Sequence, residues 1–180
     1  MNLPNKLTML RVAMIPVFVV LFFLRPVWSY SHYAAALVFI LASLTDLYDG
    51  RIARERGLVT NFGKFADPLA DKLLVCTALI CLVSTGQIPV WAVILIIARE
   101  FIISGFRLVA AEQGVVLAAS KIAKVKTTFQ MIMTVALTLD FPGTFFTVLN
   151  WVLIVIAVVL TVVSLVEYMV KNWNVMGKDL

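Results

Sequence analysis

The chain has 180 residues, of which 62% are apolar and only 14% are charged, and its formal net charge is +5 at pH 7. Soluble domains average about 45–50% apolar and about 25% charged residues, so this composition excludes a water-soluble globular protein. The basic residues are scattered among long apolar runs, and the positive charge therefore does not indicate nucleic-acid binding. A membrane helix needs about 20 apolar residues. We therefore expect a single all-α integral membrane domain over residues 1–180.

Six apolar segments follow one another along the chain, separated by charged or turn-rich sequence. They predict transmembrane helices near residues 5–28, 31–56, 64–85, 88–111, 118–140 and 144–171. Of the 15 Lys and Arg residues, all but Arg25 belong to the side that holds the 56–64 and 111–120 loops. The positive-inside rule makes this side cytoplasmic. We expect a multi-pass protein of the cytoplasmic membrane, with both termini in the cytoplasm and the single histidine, His32, in a solvated outer loop.

The charge-free stretches between neighbouring predicted helices are too short to hold two full spans. The stretch from 73 to 98 is free of charge, yet it contains a complete outward hairpin. Because each span needs about 20 residues, the flanking charges must lie in the inner parts of the same helices. They form a polar cavity open to the cytoplasm, with an apolar outer half. By contrast, the stretch 141–166 is charge-free throughout and predicts a structural or lipid-facing helix. The charged residues placed in the inner parts are Asp46, Asp49, Asp67, Asp71, Arg99 and Arg107.

Acidic and small residues share one face on each of two neighbouring predicted helices. Residues three, four and seven apart lie on one helical face. The face of the second helix carries Asp46, Asp49, Gly50 and Ala53. The face of the third helix carries Gly63, Asp67 and Asp71. A short loop makes the two helices antiparallel neighbours, so the four carboxylates can converge.

Clustered carboxylates at membrane depth need a compensating cation. Inserting one ionised Asp at the centre of a membrane helix costs about 2.5–3.5 kcal/mol, and neighbouring like charges add to this. Four oxygen donors without His or Cys favour Mg²⁺ or Mn²⁺, and paired ions suit phosphoryl transfer. Small residues let a pyrophosphate approach the backbone, and Arg54 can reach a phosphate oxygen. The alternative is that the acids form only salt bridges to nearby Arg and Lys.

The order of these residues resembles the signature of the CDP-alcohol phosphotransferases, D-x2-D-G-x2-A-R-x8-G-x3-D-x3-D, which is matched from Asp46 to Asp71 without a gap. The resemblance implies a six-helix membrane homodimer that displaces CMP from a CDP-linked lipid with an alcohol. It implies that the four aspartates hold two divalent ions and that Asp71 is also the general base. It further implies that the nucleotide and its pyrophosphate are bound at Gly50, Ala53, Arg54 and Gly63.

A second polar group lies near the cytoplasmic ends of the fourth and fifth predicted helices. Arg99 and Arg107 are eight residues apart on one helical face, and Lys124 and Lys126 follow on the next helix. Basic side chains placed close together repel one another, so their presence there indicates that they bind an anion, such as a phosphate on the acceptor alcohol. For any single lysine, the ordinary positive-inside excess is the alternative. A cationic choline or ethanolamine acceptor would need acids or an aromatic cage instead.

Within the family, the whole chain most resembles the bacterial members that make phosphatidylglycerophosphate. The likeness rests on the segments Pro4–Arg11, Arg99–Arg107 and Lys124–Gln130. It implies that CDP-diacylglycerol and sn-glycerol 3-phosphate are the substrates and that membrane lipids surround the protein. Inositol phosphate stays open as an acceptor, because it also needs a basic pocket. A divalent-cation transporter is the alternative of another class, since intramembrane acids also mark ion pathways, and a non-catalytic membrane scaffold is the third.

Overall fold

The computed structural model describes residues 3–55, 61–112, 114–115, 117 and 120–176, with side chains described except at 3–6, 46–55, 61–68 and 174–176. Over these residues all regular structure is helical. The six described helices are α1 (Leu3–Phe23), α2 (Ser31–Glu55), α3 (Asn61–Ser84), α4 (Val90–Glu112), α5 (Lys121–Leu139) and α6 (Thr144–Met176). The prediction of an all-helical chain is therefore confirmed, and each predicted segment coincides with a helix.

The largest differences from the sequence-based helix limits are at the C-terminal ends of α1 and α6. Helix α1 ends at Phe23 rather than near 28, because the amides of Val27 and Trp28 turn back to the carbonyl of Leu24 and Pro26 has no N–H to donate. Helix α6 continues to Met176, but its backbone is non-helical at Asn172, with φ −116° and ψ 15°.

Helix α6 is the one described helix that is long and apolar enough to cross a membrane. The stretch Thr144–Trp173 has 30 residues and a mean hydropathy of 2.8, while Leu7–Phe23 and Ser31–Thr45 are shorter apolar stretches. Along α6, large apolar side chains such as Phe145 and Val170 are 72% exposed. The length of this helix and its exposed apolar side chains indicate a membrane protein.

The described chain forms two compact units. One comprises Met1–Gln87 with Thr134–Phe141, and the other comprises Ile88–Met133 with Pro142–Leu180. In the first unit α1 packs against both α2 and α3, and these two helices also contact each other. Its core includes Phe18, which is fully buried, with ring centroids 5.8 Å from Phe22 and 6.0 Å from Phe39. In the second unit α4 packs against α6. The single-domain organisation over residues 1–180 stays a prediction.

Candidate functional site

The four predicted metal ligands lie in the adjoining helices α2 and α3. Asp46 and Asp49 precede the end of α2 at Glu55, and Asp67 and Asp71 follow the start of α3 at Asn61. At about 1.5 Å per residue, Asp49 and Asp67 are each about 9 Å from these helix ends. By the same measure Asp46 and Asp71 are about 14 and about 15 Å from them. The helix register therefore places the acids in two pairs at matching distances from the α2–α3 connection.

Of the four aspartates, only Asp71 has a described side chain, and it is half-buried, as is the adjacent Lys72. Among the side chains that the structure describes, no three His, Cys, Asp or Glu residues come together as a metal site. A set of four carboxylates fits a hard divalent cation. The remaining predicted ligands and nucleotide-binding residues have side chains outside the described part of the chain. They are Asp46, Asp49, Gly50, Ala53, Arg54, Gly63 and Asp67.

An arginine is fully buried in the unit that contains α2 and α3. Arg11 of α1 has 0% exposure, and Thr8, one turn earlier, has 1%. Removing an ionised group from water costs on the order of several kcal/mol unless charged or polar partners compensate it. Arg11 occurs in a sequence motif but has no role among the sequence-based predictions, although a single base between Leu10 and Val12 was an available signal. Arg11 is thus a buried positive charge on the helix that packs against both acidic helices.

The second unit contains a buried network of charged groups. Arg99 of α4 is 6% exposed and Lys126 of α5 is 1% exposed. Both pair with the same carboxylate oxygen of Glu100: Nη1 of Arg99 lies 3.0 Å from Oε1, and Nζ of Lys126 forms an ion pair with it. Nε of Arg99 also donates to Oγ of Ser164 at 3.1 Å, and this hydroxyl donates to the carbonyl of Thr161 at 2.9 Å. The network therefore ties α4, α5 and α6 together.

The other two predicted acceptor-binding residues are exposed. The Cζ atom of Arg107 lies 5.7 Å from the centroid of the Tyr168 ring, within the range of a cation–π interaction. Tyr168 is buried, and its ring meets Phe106 edge to face at 5.7 Å. Lys124 is exposed on α5, outside the buried network. The structure therefore brings Arg99 and Lys126 together, restrains Arg107 against an aromatic face, and leaves Lys124 on the surface.

The groups that hold Arg99 and Lys126 were not predicted from the sequence. Glu100 carried a signal, because it is an acid next to Arg99 in an otherwise apolar part of α4. Ser164 carried none, since it lies in the charge-free stretch that was interpreted as structural or lipid-facing. Its hydroxyl is fully buried and bonded to Arg99, so α6 also has a polar role.

Comparison with known proteins assigns the chain to a family. Residues 1–163 match the model of the CDP-alcohol phosphatidyltransferases. The chain belongs to this family. The sequence-based resemblance is confirmed, and this CDP-alcohol phosphatidyltransferase is a transferase enzyme.

The relatives of this CDP-alcohol phosphatidyltransferase match it over nearly their whole length. It is 47% identical to the CDP-diacylglycerol–glycerol-3-phosphate 3-phosphatidyltransferase of Bacillus subtilis (strain 168), over 96% of each chain. Proteins of the same name from Rickettsia typhi and Shigella flexneri serotype 5b are 40% and 42% identical to it. These alignments cover 93% of this chain, and 94% and 93% of the two relatives.

The substitution Glu100→Gln tests whether the buried network of this CDP-alcohol phosphatidyltransferase depends on one negative charge. It leaves two buried cations without their shared carboxylate, so we expect the free energy of unfolding to fall by about 3–5 kcal/mol in a denaturant titration in detergent. Adding Lys126→Met should recover part of this loss.

The matched control is Lys171→Gln, which removes an exposed cation from its pair with the half-buried Glu167, 2.5 Å apart and four residues along α6. This change should cost at most about 0.5 kcal/mol. Equal losses for Glu100→Gln and Lys171→Gln would contradict the buried network.

Proposed function

We propose that the chain transfers the phosphatidyl group of CDP-diacylglycerol to sn-glycerol 3-phosphate, releasing CMP and phosphatidylglycerophosphate. The observation that carries this proposal is near full-length identity of 40–47% to enzymes whose names state this donor and acceptor. The signature from Asp46 to Asp71 supports the reaction type. Membership of a transferase family favours this function over the divalent-cation transporter.

The proposed donor site lies on α2 and α3. Asp46, Asp49, Asp67 and Asp71 hold two divalent ions, Mg²⁺ or Mn²⁺, a proposal supported by the carboxylate-only donor set and by the matching depths of the acids. When bound, such ions stabilise the negative charge that develops on phosphate oxygens. The residues proposed to bind the nucleotide and pyrophosphate are Gly50, Ala53, Arg54 and Gly63.

We propose that the carboxylate of Asp71 removes the proton from the primary hydroxyl of sn-glycerol 3-phosphate. The hydroxyl oxygen then forms a bond to the lipid-attached phosphorus, the phosphorus–oxygen bond to CMP breaks in line, and CMP leaves. Half-burial of Asp71 is consistent with this role, because it leaves the carboxylate accessible to a substrate hydroxyl.

Arg99, Arg107, Lys124 and Lys126 are proposed to bind the phosphate of the acceptor. The structure supports two different contributions. Arg107 and Lys124 are exposed and can contact a phosphate directly. Arg99 and Lys126 are buried and held in place by Glu100, so their proposed contribution is the field of fixed cations in low-dielectric surroundings.

We further propose that all six helices cross the cytoplasmic membrane, with both termini and the active site on the cytoplasmic side. The apolar helix α6 and the restriction of nearly all bases to one side support this topology. As the family resemblance implies, the protein is proposed to be a homodimer, and its mass in detergent solution tests this.

Cysteine labelling tests the topology, in a protein whose Cys76 and Cys81 are both replaced by Ala. Ser29→Cys, between α1 and α2, should react with a membrane-impermeant maleimide in intact cells. Glu112→Cys, at the end of α4, should react only after the cells are permeabilised. Labelling of Glu112→Cys in intact cells would show that the orientation is wrong.

Asp71→Asn tests the general base, because the amide keeps the shape of the side chain but cannot accept the proton. We expect CMP release at saturating substrates to fall by at least about 10²-fold, with part of the CDP-diacylglycerol binding retained. The matched control is Asp140→Asn, which removes an exposed acid that pairs with Arg25. The base is assigned wrongly if Asp71→Asn retains the activity of this control.

Arg107→Gln tests the acceptor site. Loss of a charge-assisted hydrogen bond should raise the KM for sn-glycerol 3-phosphate by at least about tenfold and leave the KM for CDP-diacylglycerol unchanged. Lys121→Gln, an exposed base at the start of the same helix as Lys124, is the control. The wild-type assay is repeated with inositol phosphate, choline and ethanolamine. If the wild type releases CMP faster with inositol phosphate than with sn-glycerol 3-phosphate, the proposed acceptor is wrong.

A further inference from the structure

The exposed side chain of Arg107 lies over a buried aromatic ring in the second unit. Its Cζ atom is 5.7 Å from the centroid of the Tyr168 ring. Among the described side chains, no carboxylate pairs with this guanidinium, whereas Arg99 and Lys126 both pair with Glu100. The N–H groups of Arg107 therefore stay available to a ligand, while the contact with the ring restrains the side chain.

The Tyr168 ring is itself held firmly in place. It is 3% exposed, and the ring of Phe106 meets it edge to face, with the two centroids 5.7 Å apart. Ile103 belongs to the same buried cluster. The partly buried side chains that pack against this cluster are Leu117, Leu165 and Met169. The ring is thus fixed by α4, by α6 and by the loop between α4 and α5, and it offers the guanidinium a defined position.

A fixed ring changes what it costs an arginine to bind an anion. A free arginine side chain has many conformations, and ordering it on a ligand costs conformational entropy. A cation–π contact uses the charge of the guanidinium and does not require its N–H donors. The contact with Tyr168 therefore reduces the conformations of Arg107 before a ligand arrives and leaves the donors free for a phosphate.

We propose that Tyr168 is a positioning residue for the acceptor, because its ring orients the guanidinium of Arg107 toward the acceptor phosphate. This role rests on the proposed function, in which Arg107 binds that phosphate directly. Tyr168 is buried and acts through Arg107, without contact with the substrate. Its hydroxyl has no hydrogen-bond partner among the described residues. The part of Tyr168 that acts is consequently the face of the ring.

Two substitutions separate the ring from the hydroxyl: Tyr168→Leu removes both, whereas Tyr168→Phe keeps the ring. The rate of CMP release is measured at varied concentrations of sn-glycerol 3-phosphate. We expect Tyr168→Leu to raise the KM for sn-glycerol 3-phosphate by about two- to fivefold, the range of an exposed cation–π contact, and Tyr168→Phe to retain the wild-type KM. The kcat and the KM for CDP-diacylglycerol should stay near wild type in both. Phe145→Leu, 72% exposed at the other end of α6, is the matched control and should change neither KM.

Combining these changes with Arg107→Gln tests whether the ring acts through the guanidinium. In the Arg107→Gln protein, Tyr168→Leu should cause no further rise in the KM for sn-glycerol 3-phosphate, because the two residues contribute as a pair. An equal further rise would overturn the inference, as would a wild-type KM in Tyr168→Leu or a raised KM in Tyr168→Phe. If Arg107→Gln raises this KM and Tyr168→Leu does not, only the positioning role is wrong. If Arg107→Gln itself has no effect, the proposed acceptor site fails as well.

Fluorinated phenylalanines at position 168 test the contact without a change in packing. Each fluorine withdraws electron density from the ring and weakens its attraction for a cation, while the shape of the side chain changes little. We expect the KM for sn-glycerol 3-phosphate to rise with each fluorine added, at a constant melting temperature. A KM that is the same across the series would show that the ring is only structural. This series also decides the matter if Tyr168→Leu does not fold.

Discussion

An ionised side chain buried among apolar helices must be matched by an opposite charge or by oriented dipoles, and this requirement explains the polar interior of the second unit. Arg99 and Lys126 are nearly inaccessible, and Glu100 bonds to both. Removal of Glu100 leaves both cations without their shared carboxylate, which costs far more than the intact network contributes. Because the members come from α4 and α5, and Ser164 adds α6, the charge balance also determines how these three helices are positioned.

The acidic residues of the first unit face the same requirement with a different proposed solution. Four aspartates occur within 26 positions of α2 and α3, from Asp46 to Asp71. Arg11 is a buried base on the helix that packs against both, and one arginine cannot balance four carboxylates. In the proposed site, bound divalent cations supply the remaining charge, so ion binding and the stability of this unit are coupled. The basic network contains a carboxylate from the protein itself, whereas the acidic residues are proposed to take their counter-charge from bound cations.

Much of this organisation was predictable from local sequence. Helical periodicity placed Asp46, Asp49, Asp67 and Asp71 on two adjoining helices, because residue spacing within a helix translates directly into position on its surface. Contacts between distant segments were not predictable in this way. His32 was expected in a solvated loop, but it is buried next to Tyr33, whose ring meets Phe141 at 6.0 Å. Nothing in the sequence around His32 indicates a contact with a residue more than 100 positions away.

The pair Arg99 and Arg107 shows that two residues on the same helical face can lie in different environments. Eight residues bring both onto one face of α4, but they also separate the two positions by about 12 Å along its axis. The axial separation carries Arg99 into a network with Glu100 and Ser164, while Arg107 lies exposed over Tyr168. In the proposed function, Arg99 and Arg107 therefore contribute to acceptor binding in different ways. An exposed guanidinium can form and release hydrogen bonds to a phosphate at each turnover, whereas a buried cation acts through its field, which is weakly screened because little water surrounds it. Since Glu100 stays bonded to Arg99 and Lys126, the acceptor can arrive and leave without the buried charges ever losing their partner.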